Sequence, residues 1–483
     1  MPTSSRAAPA SAVVALAASA FMASGSRDFC LDDAWIHLAY AQSLKLGDGF
    51  SYNPGDHATG FSSPLWAALL ALWPWFGNPV IAVKVLGALC HAALAWGAAA
   101  LTLQLTAAER ARPASFVAGL LVACDPLLVF SATSGMEVSL TAALCVWALW
   151  ISLARPAAVS GAVALGAAAV FARPESLFLL AAFAVLAWSA TRRSSAFYPF
   201  AGAVAALAVW VVYCYWVSGY PWPNTYYAKR HADLGEGLVY FGLRVLTAQA
   251  WSLALTGLVL VGLAVRRPGP TRTVALAWLT AVIGVAASRE LLLNALFYCS
   301  RYFAIFAAIP CVLVASQLPE RKLLRALVLV PIVAVNLFML PGVRALQRAQ
   351  ENDITTLHTE PAQYAAATLP KDARVIVEGA GATRFFLPRS ARVIDLIGLN
   401  YTPAVHARTH EEKLCSVLRA RPNFLLLPDG FVATYQRASE LEILRTFVDR
   451  DYALTVMKRR RPFGIVAAKL GPLRPQARAL CSL

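Results

Sequence analysis

The chain has 483 residues, of which 59% are hydrophobic and only 14% are charged, and its formal net charge is +16. An ordinary soluble domain has roughly 25% charged residues, so this composition excludes a soluble enzyme and indicates a protein that crosses a membrane many times. The positive charge does not indicate a nucleic-acid partner, because basic residues of membrane proteins gather in their cytoplasmic loops.

Apolar runs of about 15 to 27 residues recur up to about residue 343, and roughly 20 helical residues suffice to cross a bilayer. They predict about eleven transmembrane helices, at residues 8–25, 79–105, 114–130, 138–154, 157–171, 176–190, 196–217, 251–265, 273–287, 302–316 and 323–342. The Trp-rich segment from Pro64 to Phe76 predicts a re-entrant or interfacial helix, because tryptophan prefers the headgroup level. The first run also fits a cleaved secretory signal, since Arg6 precedes it and small residues follow it.

Basic residues between the predicted spans indicate the orientation. With the N-terminus inside, the cytoplasmic loops hold almost every basic cluster, as the positive-inside rule requires: Arg110, Arg112, Arg155, Arg192, Arg193, Arg266, Arg267, Arg272, Arg321, Lys322 and Arg325. The outer side then holds the loop 26–63, the turns near Glu137 and Arg173, the loop 218–250, the turn 288–301 and everything after Pro341. This topology predicts a multi-pass protein of a cytoplasmic membrane that contacts membrane lipids and has an extracytoplasmic C-terminal domain.

Some basic residues remain on the outer side, which the positive-inside rule depletes: Lys229, Arg230, Arg289 and Arg301. Such a set near membrane level indicates an anionic group such as a lipid phosphate. Lys84 lies inside a predicted span near its outer end, where a charge needs a partner or a route to the interface. Phosphate contact and snorkelling both remain open for this lysine.

The composition changes after residue 343, so we predict a transmembrane domain at 1–343 and an external α/β domain at 344–483. Short apolar runs bounded by turn residues predict strands at 373–381, 391–399, 423–430, 452–457 and 463–470, and helical spacing predicts helices at 404–421 and 434–450. The sequence Gly379-Ala380-Gly381 lacks the GxGxxG spacing of a dinucleotide loop and therefore predicts no nucleotide site.

The nine cysteines are scattered without a CxxC pair, so they predict neither a metal centre nor a redox motif. A disulfide between Cys415 and Cys481 in the external domain is one option for two of them. Adjacent aspartates can also hold a divalent cation, but two ligands without a third carboxylate nearby support this only weakly.

Two adjacent carboxylates, Asp32 and Asp33, follow the first predicted span directly. Asp33, His37 and Tyr40 recur at i, i+4 and i+7, so they share one face of a helix that begins at the bilayer edge. One aspartate is explained as a cap of that helix, because a carboxylate accepts N–H bonds at a helix N-terminus. The second is not, since neighbouring carboxylates repel at a low-dielectric boundary and such a pair usually handles a ligand, a cation or a proton.

Ordered motifs continue along the chain: DDAWI from Asp32, GDGFSYNPG from Gly47, SPLW from Ser63, SGME from Ser134, RPE from Arg173, PNTYYAK from Pro223, RY from Arg301 and VID from Val393. In this order they resemble the C-type (GT-C fold) integral-membrane glycosyltransferases, which take a sugar from a polyprenyl-phosphate donor at the outer face. Bacterial arabinofuranosyltransferases and uncharacterised relatives share the pattern. Relatives often carry Arg before the Tyr of the first motif, where this chain has Ala39, which puts one substrate contact in doubt.

The resemblance implies inverting displacement at the anomeric carbon, in which a carboxylate deprotonates an acceptor hydroxyl while the lipid phosphate leaves. Asp32 is then the base and Asp33 its partner, although either order fits. The candidate phosphate-binding residues are Lys229, Arg173, Arg301 and Lys84, and the candidate substrate-binding residues are His37, Tyr40, Glu137, Asn224, Tyr226 and Tyr227. The resemblance implies a lipid-linked sugar co-substrate, no certain cofactor, and a glycan, lipid or protein acceptor.

Each candidate also has a structural interpretation. Arg173 can form a turn-stabilising ion pair with Glu175, Glu137 can cap a helix, and His37 can be a water-exposed interfacial histidine. Lys229 and Arg301 can be headgroup or helix-end anchors, and tyrosines are common at this depth.

Other functions remain open for a chain with many spans. A transporter or flippase of lipid-linked sugars should carry its charges near the membrane midplane, often in repeated halves. Here the charges gather at one face, which favours a transferase. A scaffold that binds a lipid-linked sugar without transferring it is a third alternative.

Overall fold

A computed structural model describes residues 7–75, 77–192, 194–228, 269–285, 301–450 and 462–483. These residues divide into two compact units. One comprises the described parts of Met1–Gly25, Ile81–Trp210 and Arg230–Ala345, and we call it the helical unit. The other comprises the described parts of Ser26–Val80, Val211–Lys229 and Leu346–Leu483, and we call it the loop–sheet unit. The first loop, which the sequence assigns to the transmembrane domain, therefore packs with the C-terminal residues.

The helical unit is built from apolar helices, some of which continue into the other unit: Ala7–Ala23, Pro79–Leu105, Ala108–Cys124, Pro126–Thr133, Val138–Ala154, Val159–Ala172, Ser176–Thr191, Phe197–Ser218, Pro270–Val285, Arg301–Ala304, Ala308–Ser316 and Lys322–Ile354. Among the described residues, three helical stretches are long and apolar enough to cross a membrane: Pro79–Leu105, Ser194–Ser218 and Lys322–Thr368. A bent pair, Ala108–Cys124 and Pro126–Thr133, makes a fourth if it counts as one span. The number of eleven spans stays a prediction.

Two predicted spans are interrupted in the structure. The span predicted at 114–130 bends by 55° at Asp125, whose carboxylate accepts hydrogen bonds of 3.0 Å from the N–H groups of Leu127 and Leu128 and so begins a new helix. The span predicted at 302–316 is divided into Arg301–Ala304 and Ala308–Ser316. The span predicted at 251–265 lies outside the described residues.

The loop–sheet unit holds two sheets. The first loop forms a hairpin of β1 (Ser51–Asn53) and β2 (Asp56–His57). The C-terminal residues form a five-stranded mixed sheet in the order β4-β3-β5-β7-β6, from β3 (Arg374–Val377), β4 (Arg392–Asp395), β5 (Phe424–Pro428), β6 (Ser439–Asp449) and β7 (Phe463–Leu473). Strand β3 pairs in parallel with β4 and β5, and β7 pairs antiparallel with β5 and β6.

The same unit contains shorter helices: Asp32–Lys45, Pro64–Leu72, Asn224–Ala228, Glu360–Thr368, Ala380–Phe386, Thr402–Val405, His410–Arg419, Asp429–Ala438 and Pro475–Cys481. A π-helical turn, Thr355–Thr359, joins the long Lys322–Ile354 helix to Glu360–Thr368. The apolar core lies between the sheet and several of these helices and contains Ile376, Leu425, Leu427 and Tyr435. A disulfide joins Cys415 to Cys481 within this core.

Most predicted elements of the C-terminal domain are confirmed, and two differ from the structure. The helix predicted at 404–421 is divided into Thr402–Val405 and His410–Arg419. The apolar runs at 373–381, 391–399, 423–430 and 463–470 contain β3, β4, β5 and β7, whereas the run at 452–457 lies outside the described residues. The helix predicted at 434–450 ends at Ala438, and the rest is strand β6. The physical reason is its backbone pairing with β7, a long-range interaction that overrides local helical spacing.

Candidate active site

Asp32 binds the start of a distant helix rather than that of its own. The Asp32–Lys45 helix begins after Leu31, whose side chain provides no cap. The two carboxylate oxygens of Asp32 instead accept hydrogen bonds from the backbone N–H groups of Gly381 (2.7 Å) and Ala382 (2.9 Å). These groups belong to the first turn of the Ala380–Phe386 helix, where N–H groups otherwise have no intrahelical partner. Asp32 therefore caps the Ala380–Phe386 helix and not the helix to which it belongs.

Close packing accompanies these hydrogen bonds. A Cβ atom at Gly381 would lie 2.2 Å from the backbone oxygen of Asp32 and 2.7 Å from the backbone nitrogen of Ile36. The Trp35 ring contacts the Phe385 and Phe386 rings, with centroids 4.9 and 5.0 Å apart. The two helices thus pack closely at Gly381, which has no side chain, and also through the aromatic rings of Trp35, Phe385 and Phe386.

Asp28 is a buried carboxylate that the sequence did not single out. Its Oδ1 accepts hydrogen bonds from the Phe29 N–H (2.7 Å) and the Trp35 indole N–H (2.9 Å). Its Oδ2 accepts hydrogen bonds from the hydroxyls of Thr355 (3.1 Å) and Thr359 (2.6 Å) in the π-helical turn. Burial raises the pKa of Asp28, and the hydrogen bonds oppose this shift. Asp28 therefore holds the segment of chain that leads into Asp32 and Asp33 against the π-helical turn.

His358 and Glu378 lie near Asp32. The His358 Nδ1 is 3.8 Å from the Asp32 Oδ1. Burial raises the pKa of Glu378; His358 opposes this shift and Asp32 adds to it. Sequence reasoning missed both residues. A signal for Glu378 was available, because it follows strand β3 directly and polar sites gather at the carboxyl ends of parallel strands.

The hairpin of the first loop binds the open edge of the C-terminal sheet. The Asn53 side-chain amide donates to the Val393 carbonyl (3.0 Å), and its oxygen accepts from the Val393 N–H (2.8 Å). The Tyr52 hydroxyl donates to the Ala380 carbonyl (2.6 Å). Asn53 thus satisfies the backbone N–H and C=O of Val393 in edge strand β4.

Tyr40 belongs to a buried chain of hydrogen bonds. Its hydroxyl donates to the Asn400 side-chain oxygen (2.8 Å), and the Asn400 amide donates to the Asp395 carboxylate (3.1 Å). Three backbone N–H groups, of Ile397, Gly398 and Asn400, also donate to Asp395. Burial raises the pKa of Asp395 to about 6. The Tyr40 side chain is completely buried, which favours a supporting role within the fold over a substrate contact.

The remaining candidates of the loop–sheet unit are also engaged with protein groups. His37 is 5% exposed and packs edge-on against Phe61, which contradicts a water-exposed interfacial histidine. Asn224 is buried, and its amide donates to the Thr402 hydroxyl (3.0 Å), which gives it an anchoring role. Tyr226 and Tyr227 are half-buried and contact each other edge-on at 5.3 Å.

Arg173 lies in the helical unit between two acidic residues. Its guanidinium is 2.8 Å from the Glu137 carboxylate and 3.4 Å from the Glu175 carboxylate, and all three side chains are nearly inaccessible to solvent. Its charge is therefore neutralised within the fold, which favours an internal ion-pair role for Arg173 over contact with a donor phosphate. Glu137 precedes the Val138–Ala154 helix but provides no side-chain cap, because its carboxylate binds Arg173.

Arg301 and Lys84 are buried in the same unit. The Arg301 guanidinium lies over the Tyr302 ring at 5.3 Å, and the Arg173 guanidinium lies over that ring at 4.6 Å. Lys84 lies in the Pro79–Leu105 helix. Lys229 lies outside the described residues. Within the residues that the structure describes, no group of three or more His, Cys, Asp or Glu side chains is arranged to hold a metal ion.

Comparison with known families leaves the sequence largely unmatched. A family model described as a domain of unknown function (DUF8728) matches residues 344–461. No curated protein matches the chain.

Solved structures resemble almost the whole chain at low sequence identity. The oligosaccharyltransferase of Archaeoglobus fulgidus in complex with Zn and sulfate is 13% identical with a TM-score of 0.51, and the match covers 88% of this chain and 69% of that one. The same enzyme tethered to an acceptor peptide is 11% identical with a TM-score of 0.53, over 88% and 70%. ArnT of Cupriavidus metallidurans, bound to undecaprenyl phosphate, is 14% identical with a TM-score of 0.54, over 95% and 97%. This protein therefore has the GT-C fold of membrane glycosyltransferases.

Proposed function

We propose that this protein transfers a sugar from a polyprenyl-phosphate donor to a hydroxyl group of a cell-envelope acceptor. One observation carries the proposal: in a chain with this fold, the Asp32 carboxylate, directly before Asp33, is fixed against the C-terminal domain by two backbone hydrogen bonds. The structural similarity to ArnT bound to undecaprenyl phosphate supports a lipid-linked donor. No motif in the sequence distinguishes a pentofuranose, a hexose or an aminosugar as the transferred sugar.

Of the two aspartates, we assign the base to Asp33. Both oxygens of Asp32 accept backbone hydrogen bonds, so moving this carboxylate to a substrate would release the Ala380–Phe386 helix. Asp33 follows at once, is half-buried and shares a helix face with His37. A carboxylate here removes the proton of the acceptor hydroxyl as that oxygen attacks the anomeric carbon and the phosphate leaves on the opposite side. The reaction inverts the anomeric centre and needs no covalent enzyme intermediate.

The donor phosphate needs positive charge, which Lys229, Arg301 and Lys84 are proposed to supply. Arg173 is left out of this set because Glu137 and Glu175 neutralise it. Instead, Arg173 holds the turns of the SGME and RPE motifs together. In this arrangement Glu137 and Glu175, the acidic residues of the two motifs, stabilise the fold by pairing with Arg173.

We place the reaction at the outer face of a bacterial cytoplasmic membrane. The disulfide between Cys415 and Cys481 supports this side, because disulfides persist in the periplasm and outside the cell but are rare in the cytosol. Positive-inside charge parity supports the same orientation independently.

The test is carried out in a strain that lacks the gene, with mass spectrometry of its surface glycans to identify the missing sugar. The strain is then complemented with wild type, Asp33→Asn, Asp32→Asn or Asp372→Asn. We expect Asp33→Asn to reduce transfer by about 100-fold or more without changing binding of undecaprenyl phosphate. Asp372→Asn, an exposed carboxylate of the same unit, should transfer as wild type.

Normal transfer by Asp33→Asn would exclude the proposed base. A flippase would instead move a lipid-linked sugar across proteoliposomes without forming a glycoside bond. A scaffold would bind the donor and do neither. These three outcomes separate the alternatives.

A further inference from the structure

A polar pocket in the loop–sheet unit has no part in the reaction as described above. Its volume is about 500 Å³, within the range of small-molecule sites. It is bounded by residues 55–58 of the first-loop hairpin, by Trp216 and Val217 at the end of a helix, and by Arg392 and residues 400–403 of the C-terminal domain. All of these segments belong to the same unit.

One wall of the pocket is an aromatic ring. Trp216 is 73% exposed and lies in the last turn of the Phe197–Ser218 helix. The His57 ring is its neighbour, with centroids 6.0 Å apart. An indole that keeps most of its surface accessible offers a flat apolar face, whereas a buried core tryptophan does not. The C–H face of a sugar ring matches such a surface in size and polarity.

The other walls supply fixed hydrogen-bonding groups. The guanidinium of Arg392 is paired with the carboxylate of Asp56 at the rim. Asn400 is held from behind by its hydrogen bonds with Tyr40 (2.8 Å) and Asp395 (3.1 Å). These interactions position donors and acceptors before any ligand arrives, which lowers the entropic cost of binding.

The charged side chains of the pocket indicate which class of ligand it can bind. Asp56 and Arg392 carry opposite charges and pair with each other, so the rim does not favour an anion such as a phosphate. It combines acceptors and donors beside an aromatic face. Hydroxyl groups both donate and accept, so a neutral polyol with an apolar face suits this lining best.

We propose that this pocket binds a neutral sugar ring of the acceptor. The inference rests on the proposed transferase function and adds the acceptor class, a carbohydrate rather than a peptide. The sugar ring belongs either to the headgroup of a glycolipid or to a polymeric glycan, and the chemistry of recognition is shared by both.

The full chain in nanodiscs is titrated with two kinds of probe. Di- and trisaccharides of arabinose, mannose, glucose and galactose are followed by saturation-transfer difference NMR, and vesicles containing a glycosyl-diacylglycerol are compared with plain phospholipid vesicles by co-flotation. The variants are Trp216→Ala, Trp216→Phe, Arg392→Gln and Asp56→Asn. The matched control is Trp188→Ala, an indole that is 42% exposed near the end of a helix in the other unit.

We expect at least one probe to bind, with a Kd at least tenfold weaker for Trp216→Ala and Arg392→Gln. Trp216→Phe and Trp188→Ala should bind within about twofold of wild type, because phenylalanine keeps the flat face. Binding of oligosaccharide identifies a polymeric acceptor, and binding only of glycolipid vesicles identifies a lipid one. No binding in either arm, or wild-type binding by Trp216→Ala, overturns the proposal. If Trp216→Ala does not fold, Arg392→Gln decides in its place.

The result is separable from the transferase proposal. If Asp33→Asn transfers normally while Trp216→Ala loses sugar binding, the base is wrong and the pocket stands. If Asp33→Asn is inactive while Trp216→Ala binds sugar as wild type, the reaction stands and the pocket inference fails.

Discussion

The carboxylate of Asp32 and the backbone N–H of Gly381 are 349 positions apart in sequence and form a hydrogen bond of 2.7 Å. This bond joins the start of the first-loop helix to the helix that follows strand β3. The residues beside the proposed base are therefore positioned by the C-terminal domain. Substitutions in that domain should alter activity even when the substituted residue does not contact a substrate.

Gly381→Ala tests this relationship directly. The new methyl group would lie 2.2 Å from the Asp32 backbone oxygen, a contact that forces the two helices apart. Overpacking of this kind costs about 1–3 kcal/mol, and loss of the two Asp32 hydrogen bonds adds to it. We expect a lower unfolding temperature in detergent and a loss of sugar transfer. Gly430→Ala is the control, because a Cβ there meets no atom within 4 Å and should leave both measurements unchanged.

Asp28 should stabilise the fold through the hydrogen bonds that its side-chain oxygens accept as well as through its charge. Asp28→Ala leaves the donors of Phe29, Trp35, Thr355 and Thr359 without their acceptor, and we expect a loss of about 3 kcal/mol or more. Asp28→Asn should cost only about 1 kcal/mol, since one carbonyl oxygen remains and the threonine hydroxyls can rotate to accept. Thermal unfolding of both variants measures the difference. Equal losses would show that the charge alone is required.

Asp395 should make stability depend on pH in a defined direction. Burial raises its pKa from 3.8 to about 6 in the folded protein. Between these values the folded state keeps a proton that the unfolded state has lost, so the free energy of unfolding falls as the pH rises, by about 3 kcal/mol. Below about pH 4 and above about pH 6 this contribution is constant.

Asp395→Asn should remove this part of the slope. Denaturant titrations at pH 4, 5, 6 and 7 provide the measurement, and the slope rather than the absolute stability is compared. Asp28 and Glu378 have pKa values raised in the same direction, so a smaller slope of the same sign should remain. An unchanged slope would show that Asp395 does not take up a proton in this range.

Arg173→Gln should be strongly destabilising. It removes the guanidinium that pairs with the buried carboxylates of Glu137 and Glu175, a loss of about 3–5 kcal/mol. Glu137→Gln combined with Arg173→Gln should lose less than the sum of the two single changes, because the pair is removed together. Binding of undecaprenyl phosphate by the folded double variant checks the assignment. A selective loss of that binding would return Arg173 to the phosphate site.

The disulfide should stabilise the C-terminal domain measurably. Cys415 and Cys481 are separated by 66 residues, and a loop of this length predicts about 4 kcal/mol from restriction of the unfolded chain. Cys415→Ser combined with Cys481→Ser should lower the unfolding temperature of the loop–sheet unit. Cys124→Ser, a half-buried free cysteine of the helical unit, is the control. Mass spectrometry without reductant should find the bond in protein taken from cells, and free thiols at both positions would contradict the outer-face topology.

The sequence predicted the elements that its local pattern determines. Buried apolar runs with turn residues at both ends located β3, β4, β5 and β7. Strand β6 was missed, because Ser439–Asp449 is largely exposed and its spacing of apolar residues fits a helix as well as a strand. Pairing with β7 decides between these structures, and a pairing partner cannot be read from a local window.

The candidate site was predictable to the same degree. The i, i+4 spacing of Asp33 and His37 predicted a helix here, and the structure has one at Asp32–Lys45; its catalytic role stays a prediction. The partners of Asp32 were not predictable, because Gly381 and Ala382 contribute only backbone atoms. His358 lies outside any motif, and only the tertiary structure brings it near Asp32. Asp28 is close to the Asp pair in sequence, but its partners Thr355 and Thr359 are distant and could not be predicted.

The contact between Asn53 and Val393 bears on the order in which the protein is made. Strand β4 ends the sheet, and the N–H and C=O of Val393 face away from β3 toward the Asn53 amide. Ribosomes synthesise Asn53 long before Val393, so the hairpin is already present as a template when the last domain emerges. If residues 346–483 were expressed alone, strand β4 would expose unpaired backbone N–H and C=O groups. Such an edge pairs with other copies of the fragment and promotes aggregation. The first loop thus covers, from early in synthesis, part of a strand edge that forms only at the end of the chain.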